Sequence, residues 1–302
     1  MLVALGAALW GTDGVLRVPL LREMTPAAIV LGEHLILLLY SVPAVVLGWG
    51  ALRRLDGRGW LSLLVIGWGG SALATLLFTM AFAAGDPTVA ILLQKTQPLF
   101  AIAMAHVVLG ERLRAAYWPL FAAAVVGAYL VSFGNLSPFA ALGSDATAGA
   151  LLAVGAAALW GSSTALGRFV LRDVPFHALT GARLLLALAP LTVIAFAQGA
   201  FGDLGAGFAS QPGLLILIAL FPGLLGLLLY YRGLSSTRAS QATLAELAFP
   251  ATAVALNWAV LGVGVNAGQI VGFFLLWAAI YALGRLGENT VRTATEDGRE
   301  NV

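Results

Sequence analysis

Hydrophobic and polar positions alternate along this chain in long blocks, not at single-residue spacing. Apolar runs of about 20 residues, enough to cross roughly 30 Å of hydrocarbon as a helix, are separated by short charged or Gly/Pro-rich breaks. They predict ten helical spans at 2–21, 26–50, 60–84, 87–109, 115–134, 149–171, 176–198, 212–232, 238–261 and 266–285. The first lacks a basic leader and a small-residue cleavage site, so it reads as a span and not as a secretory signal. Residues 287–302 are polar and charged and read as a tail. The expected fold is an all-α polytopic membrane protein.

Composition sharpens this. Of 302 residues 60% are hydrophobic and only 10% charged, against about 25% charged in a soluble domain. A net charge of +2 gives no reason to expect a nucleic-acid partner. The absence of Cys removes disulfides and thiolate metal sites, and His34, His106 and His177 have no metal-ligand spacing. No cofactor and no metal are expected. Twelve Arg, from Arg53 to Arg299, fall on one side of a ten-span arrangement, with only Arg17 and Arg22 on the other. By the positive-inside rule both termini are cytoplasmic.

The chain also repeats itself. Gly6-Ala7-Ala8-Leu9-Trp10-Gly11 recurs as Ala156-Ala157-Ala158-Leu159-Trp160-Gly161, and Pro98 with Leu109-Gly110 recurs as Pro250 with Leu261-Gly262. This divides the chain into two five-span repeats, 1–140 and 149–286. An odd number of spans inverts the second repeat relative to the first, the architecture of secondary transporters with a site near the midplane.

The Ala-Leu-Trp-Gly of spans 1 and 6, the polar-then-Pro stretch of spans 4 and 9, and Leu-Gly-Glu-Arg-Leu at 109–113 resemble EamA-type carriers of the drug/metabolite transporter superfamily. Within it the chain looks most like the aromatic amino acid exporters of the YddG type. It departs from the pattern at Val263, where the first repeat has Glu111, and at Glu33 or His34, where the second has Arg183. The resemblance implies a multi-pass protein of the bacterial inner membrane, monomeric or a weak dimer, that exports small organic metabolites by alternating access. Amino acids, aromatic and other apolar ones, are the first expectation. A multidrug, quaternary-amine or other metabolite carrier is the alternative. A lipid-modifying enzyme or a channel is more remote, since no Asp-Asp-x-x-Asp run, His cluster or Gly-x-Ser-x-Gly occurs. Direct ATP drive is not expected, because the only lysine, Lys95, lies in no phosphate-binding loop.

Ionisable groups inside spans mark functional sites by default. Asp13 and Arg17 are spaced for an internal ion pair, whereas Arg183 and His106 lie near enough to a membrane face to snorkel. His34 and Glu246 are the titratable groups available for proton coupling. Lys95 either pairs with a carboxylate or meets a substrate carboxylate. Pro98 and Pro250 free the carbonyls of Gln94 and Glu246, so each repeat carries a weakened helix with a polar residue at the same place, a reasonable gate and substrate contact. Gln97 shares a face with Gln94. Trp10 and Trp160 are repeat-equivalent and mid-span, as are Phe78 and Tyr230. With Ser163 they suggest an aromatic-walled cavity for an amphipathic substrate.

Overall fold

The computed structural model describes residues 1–84, 93–94, 96–111, 115–133, 147–249, 251–252, 255–256, 266–279 and 281–282. Among these every regular element is helical, as apolar runs must be where lipid offers the backbone no hydrogen bonds. In chain order they are α1 (Leu2–Trp10), α2 (Asp13–Leu20), α3 (Pro26–Ile36), α4 (Leu38–Leu52), α5 (Gly57–Ala84), α6 (Gln97–Leu109) and α7 (Tyr117–Phe133). There follow α8 (Thr147–Val170), α9 (Phe176–Ala197), α10 (Phe201–Ser210), α11 (Pro212–Leu234), α12 (Ala239–Ala245) and α13 (Ala267–Ala279). Four of them, α5, α8, α9 and α11, are individually long and apolar enough to cross a bilayer, and α3 with α4 forms a fifth span bent by 51°.

Three places differ from the sequence reading. The first span is two helices, broken where Thr12 Oγ1 donates to the Leu9 carbonyl at 2.7 Å between two glycines, Gly11 and Gly14. A hydroxyl bonded back to the preceding turn competes with the helical ladder. Pro98 sits in the first turn of α6 instead of mid-helix, where a missing N–H costs no intrahelical bond. Finally, the stretch after α9 is not a loop: Gly199 takes a left-handed φ of 66°, and α10 begins two residues later. It lies on the α2–α3 connection, with Leu204 beside Gly32 and Met24 filling the space over Gly207.

The bend between α3 and α4 has local causes. Pro43 lies inside α4, and Ser41 Oγ donates to the Leu37 carbonyl at 2.8 Å; both loosen the turn around Leu37. Two helices, α5 and α11, contain a π-helical turn, at Val65–Leu73 and Ala219–Leu225, roughly the same distance along each half of the chain.

The halves interlock. α8 packs between α6 and α5, α1 lies along the last turns of α11, and α9 lies along α4 and α5. Close approach depends on glycine: a Cβ on Gly6 would stand 2.7 Å from the Gly226 carbonyl oxygen, and one on Gly161 2.6 Å from that of Gln97. Another join explains Leu-Gly-Glu-Arg-Leu. Gly110, at φ 66°, ends α6 and turns Glu111 onto the start of α12. There its carboxylate accepts from Ala239 N at 3.0 Å, Ser240 N at 3.2 Å and Ser240 Oγ at 2.6 Å. A carboxylate at a helix N-terminus satisfies free N–H donors and matches the helix dipole.

The polarity of the molecule is reversed relative to a soluble protein. Leu39, Leu47, Val107 and Phe196 are 78–85% exposed, while Arg17, Glu33, His34, Arg183 and Glu246 are buried. Apolar surface of that extent faces lipid, and the charges converge on the interior.

Candidate functional site

A cavity of about 180 Å³ opens in this interior, lined by residues of α1, α2, α3, α5, α8, α9, α11 and the 93–97 and 246–249 segments. That is about the size of a site that takes a single aromatic ring. Of the residues singled out from sequence, Trp10, His34, Phe78, Gln94, Gln97, Trp160, Ser163, Tyr230 and Glu246 all line it. Pro98 lies just outside, beside Gln97 and Glu246 in a small adjoining cleft. Lys95 and Pro250 lie outside the described residues, as do Leu261, Gly262, Val263 and the tail from 287 to 302.

Two aromatic pairs form the walls. Trp10 of α1 meets Tyr230 of α11 with ring centroids 5.0 Å apart, and Phe78 of α5 meets Trp160 of α8 at 5.1 Å in an edge-on contact. Each pair joins one half of the chain to the other. Trp160 is further fixed by its Nε1–H, which donates to the Gly70 carbonyl at 2.9 Å; that carbonyl is in the π-helical turn of α5. Aromatic pairs of this geometry are worth about 0.5–1.5 kcal/mol beyond the area they bury.

Glu246 is the centre of a buried hydrogen-bond network. Its carboxylate accepts from Tyr230 OH at 2.7 Å, from Thr164 Oγ1 at 3.1 Å and from Gln97 Nε2. Gln97 Oε1 in turn accepts from Gln94 Nε2 at 2.8 Å. The two polar residues equated in spans 4 and 9 thus belong to one network, bridged by Gln97. All of these donors are neutral, and no cation lies within ion-pair distance of Glu246 among the described residues. The Glu246 carbonyl, expected to be freed by Pro250, accepts from Phe249 N–H at 3.1 Å.

The cations are placed differently. Arg17 pairs with Asp13 through two bonds of 2.6 and 2.7 Å, as the spacing predicts. It also reaches Glu33 at 2.8 Å and Thr79 Oγ1 at 3.2 Å. This cluster ties α2 to α3 and α5 at one end of the cavity. Arg183 does not snorkel. It turns inward, with Nε donating to Ser71 Oγ at 2.6 Å and Nη1 to Tyr231 OH, and its guanidinium lies 5.3 Å over the Tyr231 ring. Ser71 and Tyr231 hold it against α5 and α11, giving the charge partners that a membrane face would otherwise supply. His106 is exposed as expected, its Nδ1 3.1 Å from the Glu111 carbonyl.

His34 Nδ1 lies 2.8 Å from the Val30 carbonyl. A carbonyl only accepts, so Nδ1 carries a hydrogen and in the neutral ring Nε2 is left as an acceptor; it is buried without a hydrogen-bond partner among the described residues. Thr164 and Tyr231 were not singled out from sequence, whereas Ser71, as a hydroxyl on an aromatic-bearing helix, and Glu33 were noted there and also line the cavity. Thr164 looks like any small hydroxyl in a membrane helix, and Tyr231 is adjacent to the repeat-matched Tyr230. Glu33 carried its signal as a carboxylate inside a span.

The arrangement can enclose a small amphipathic molecule, with flat aromatic walls, a buried carboxylate at one place and a buried guanidinium at another. It presents no cluster of metal-ligating residues among those described.

Known proteins agree in kind. The model of the EamA-like transporter family matches residues 1–133 and 147–285. The riboflavin transporter ImpX of Fusobacterium nucleatum is 30% identical over 292 residues, spanning 95% of this chain and 97% of that protein. A solved crystal structure superposes with a TM-score of 0.70 at 17% identity, over 95% of this chain and 98% of its own, a likeness of fold alone. The match reaches the family and not the exporter type within it. A helical chain with an apolar exterior and a buried polar cavity, matched by the family model in both halves, is what these observations describe: the chain belongs to the EamA-like transporter family.

Proposed function

We propose that the protein is a secondary transporter that moves a small aromatic molecule bearing an amine, foremost an aromatic or other apolar amino acid, by alternating access. The observation that carries this reading is Glu246, a buried carboxylate with no counter-ion among the described residues, bonded directly to one aromatic wall through Tyr230. An unpaired buried carboxylate is costly, and an ammonium both neutralises it and is attracted to adjacent aromatic faces. Trp10, Phe78, Trp160, Tyr230, Gln94, Gln97, Ser163 and Glu246 are the substrate contacts in this reading. Lys95 is a further contact, Pro98 and Pro250 mark the gating segments, and His34 and Glu246 are the groups that would exchange a proton.

The same reading takes the chain as ten spans in two inverted repeats, 1–140 and 149–286, with a polar tail at 287–302. It places both termini in the cytoplasm, in a bacterial inner membrane, and takes the protein as a monomer or weak dimer. Supporting this, the two aromatic pairs are exchanged copies of one contact: the first span of each repeat touches the third span of the other. The two π-helical turns fall at corresponding places.

A flavin is the second reading, favoured by the relative named as a riboflavin transporter. The aromatic walls would stack its ring, and its carbonyls and hydroxyls would use the Gln97 network. Counterflow in proteoliposomes separates the two. Vesicles are preloaded in turn with Phe, Trp, riboflavin, phenethylamine and a quaternary amine, each assayed against its own labelled form. Saturable exchange of Phe and Trp that is weakened in the Trp10→Ala, Trp160→Ala variant supports the amino-acid reading. Exchange of riboflavin alone replaces it with the flavin, and exchange of the amines alone with an amine carrier.

A further inference from the structure

Around Gly70 the cavity wall contains a group of donors that Glu246 and its network do not use. Arg183 commits Nε to Ser71 and Nη1 to Tyr231, and Nη2 has no hydrogen-bond partner among the described residues. Ser163 Oγ is buried and likewise without a partner. A Cβ on Gly70 would press on Ser163 Oγ and stand 3.3 Å from Arg183 Nη2, so the hydroxyl is packed onto the Gly70 backbone with the guanidinium beside it, and the gap that the two border is the cavity itself. The floor is held in place by Trp160, whose Nε1–H is bonded to the Gly70 carbonyl.

Arg183 also has no carboxylate within ion-pair distance among the described residues. It differs in this from Arg17, which has two. Taking a guanidinium out of water without a counter-charge costs several kcal/mol, and hydroxyl partners relieve this only in part. What the gap lacks is an acceptor with negative charge. Guanidinium N–H and a hydroxyl converging on one point match an oxyanion, which accepts charge-assisted bonds from both.

We infer that the Gly70–Ser163–Arg183 gap is an oxyanion subsite of the cavity, which takes the acidic group of the transported molecule, a carboxylate in the first instance. This rests on the cavity being the transport site, and it deepens that reading. Glu246 alone would accept any aromatic amine, whereas a second, oppositely charged anchor selects molecules that carry both an ammonium and an acid. The aromatic ring then packs against the Phe78–Trp160 and Trp10–Tyr230 walls. A substrate with both charges leaves neither Arg183 nor Glu246 unpaired.

Binding measured on the purified full chain tests this with two half-substrates. Phenylacetate has the ring and the carboxylate, and phenethylamine has the ring and the ammonium. Affinity is read from protection against thermal unfolding and from tryptophan fluorescence. In the parent both are expected to bind. Gly70→Ala, which displaces the Ser163 hydroxyl, and Ser163→Ala, which removes it, should each weaken phenylacetate, and Arg183→Gln should weaken it at least about tenfold, the loss of a charge-assisted bond. Phenethylamine, which has no acidic group, should lose clearly less affinity than phenylacetate in each variant. If Arg183→Gln does not fold, the first two variants decide alone, since they leave the guanidinium in place. No phenylacetate binding by the parent, or equal weakening of both probes in the folded variants, overturns the subsite. If phenylacetate binding depends on Gly70 and Arg183 while no amino acid exchanges in vesicles, the amino-acid reading fails and the subsite stands for another acidic cargo. Riboflavin phosphate against riboflavin then tells whether the acid it serves is a phosphate.

Discussion

Replacing Glu246 by Gln separates recognition from folding. The carboxylate accepts from Gln97, Tyr230 and Thr164. A Gln side chain retains one acceptor oxygen for Gln97 Nε2, and its amide hydrogens can point at the two hydroxyl oxygens, which rotate to accept. Stability should therefore fall by no more than about 1 kcal/mol, the net worth of one neutral bond. Lost altogether is the charge. A bond from an ammonium to a carboxylate is worth about 1.5–3 kcal/mol, so KM for Phe and for phenethylamine should rise about 10–150-fold. Phenylacetate affinity, which involves no ammonium, should change little. Glu246→Ala is the contrasting control: it strands three buried donors at about 1–3 kcal/mol each and should lower thermal stability in detergent visibly. Counterflow at varied substrate concentration, with melting curves on the same preparations, reads both effects. Amine-bearing substrates with unchanged KM in a folded Glu246→Gln protein would refute the assignment of Glu246 as the ammonium contact.

Other predictions follow from neighbouring contacts. Glu111→Ala removes three bonds from the start of α12 and should destabilise by about 1–3 kcal/mol, lowering the melting temperature in detergent, with Glu111→Gln intermediate. Arg17→Met leaves Asp13 and Glu33 as buried carboxylates without their cation and should cost about 3–5 kcal/mol; Arg17→Met combined with Asp13→Asn and Glu33→Gln should recover much of it, as measured by the yield of folded protein. Trp160→Phe keeps a ring against Phe78 and loses the bond to the Gly70 carbonyl, so a stability loss of about 1 kcal/mol is expected. Gly6→Leu, which must push α1 away from the Gly226 carbonyl, should abolish folding, whereas Gly14→Ala, with open space around its Cβ position, should be tolerated in the same expression assay.

Much of this was legible in the chain. Block-wise hydrophobicity announces membrane helices because lipid forces every backbone group to bond within its own helix, so span detection needs no tertiary information. The same logic exposes the site: Glu246, Gln97, Trp10 and Trp160 stand out because polar and aromatic groups at mid-span are rare against an apolar background. The repeat paired Trp10 with Trp160 and Phe78 with Tyr230, but it could not say that the contacts run crosswise.

What escaped the sequence has specific causes. The break in the first span depends on a Thr12 hydroxyl choosing the Leu9 carbonyl, a competition between near-equal local bonds. The position of Pro98 in α6 depends on where the helix begins, which one proline does not fix. Arg183 is the clearest case. From sequence it read as near enough to a membrane face to snorkel, but it turned inward because Ser71 and Tyr231, 112 and 48 residues away, meet it there. Hydropathy and repetition determined by themselves that this chain is helical, membrane-embedded and built on a carrier's pattern, since those follow from each residue's own exchange between water and lipid. Which polar side chains share a network, which arginine is neutralised by carboxylates and which is left to face the cavity were decided by the tertiary structure alone, because a charge's surroundings are set by helices distant in sequence.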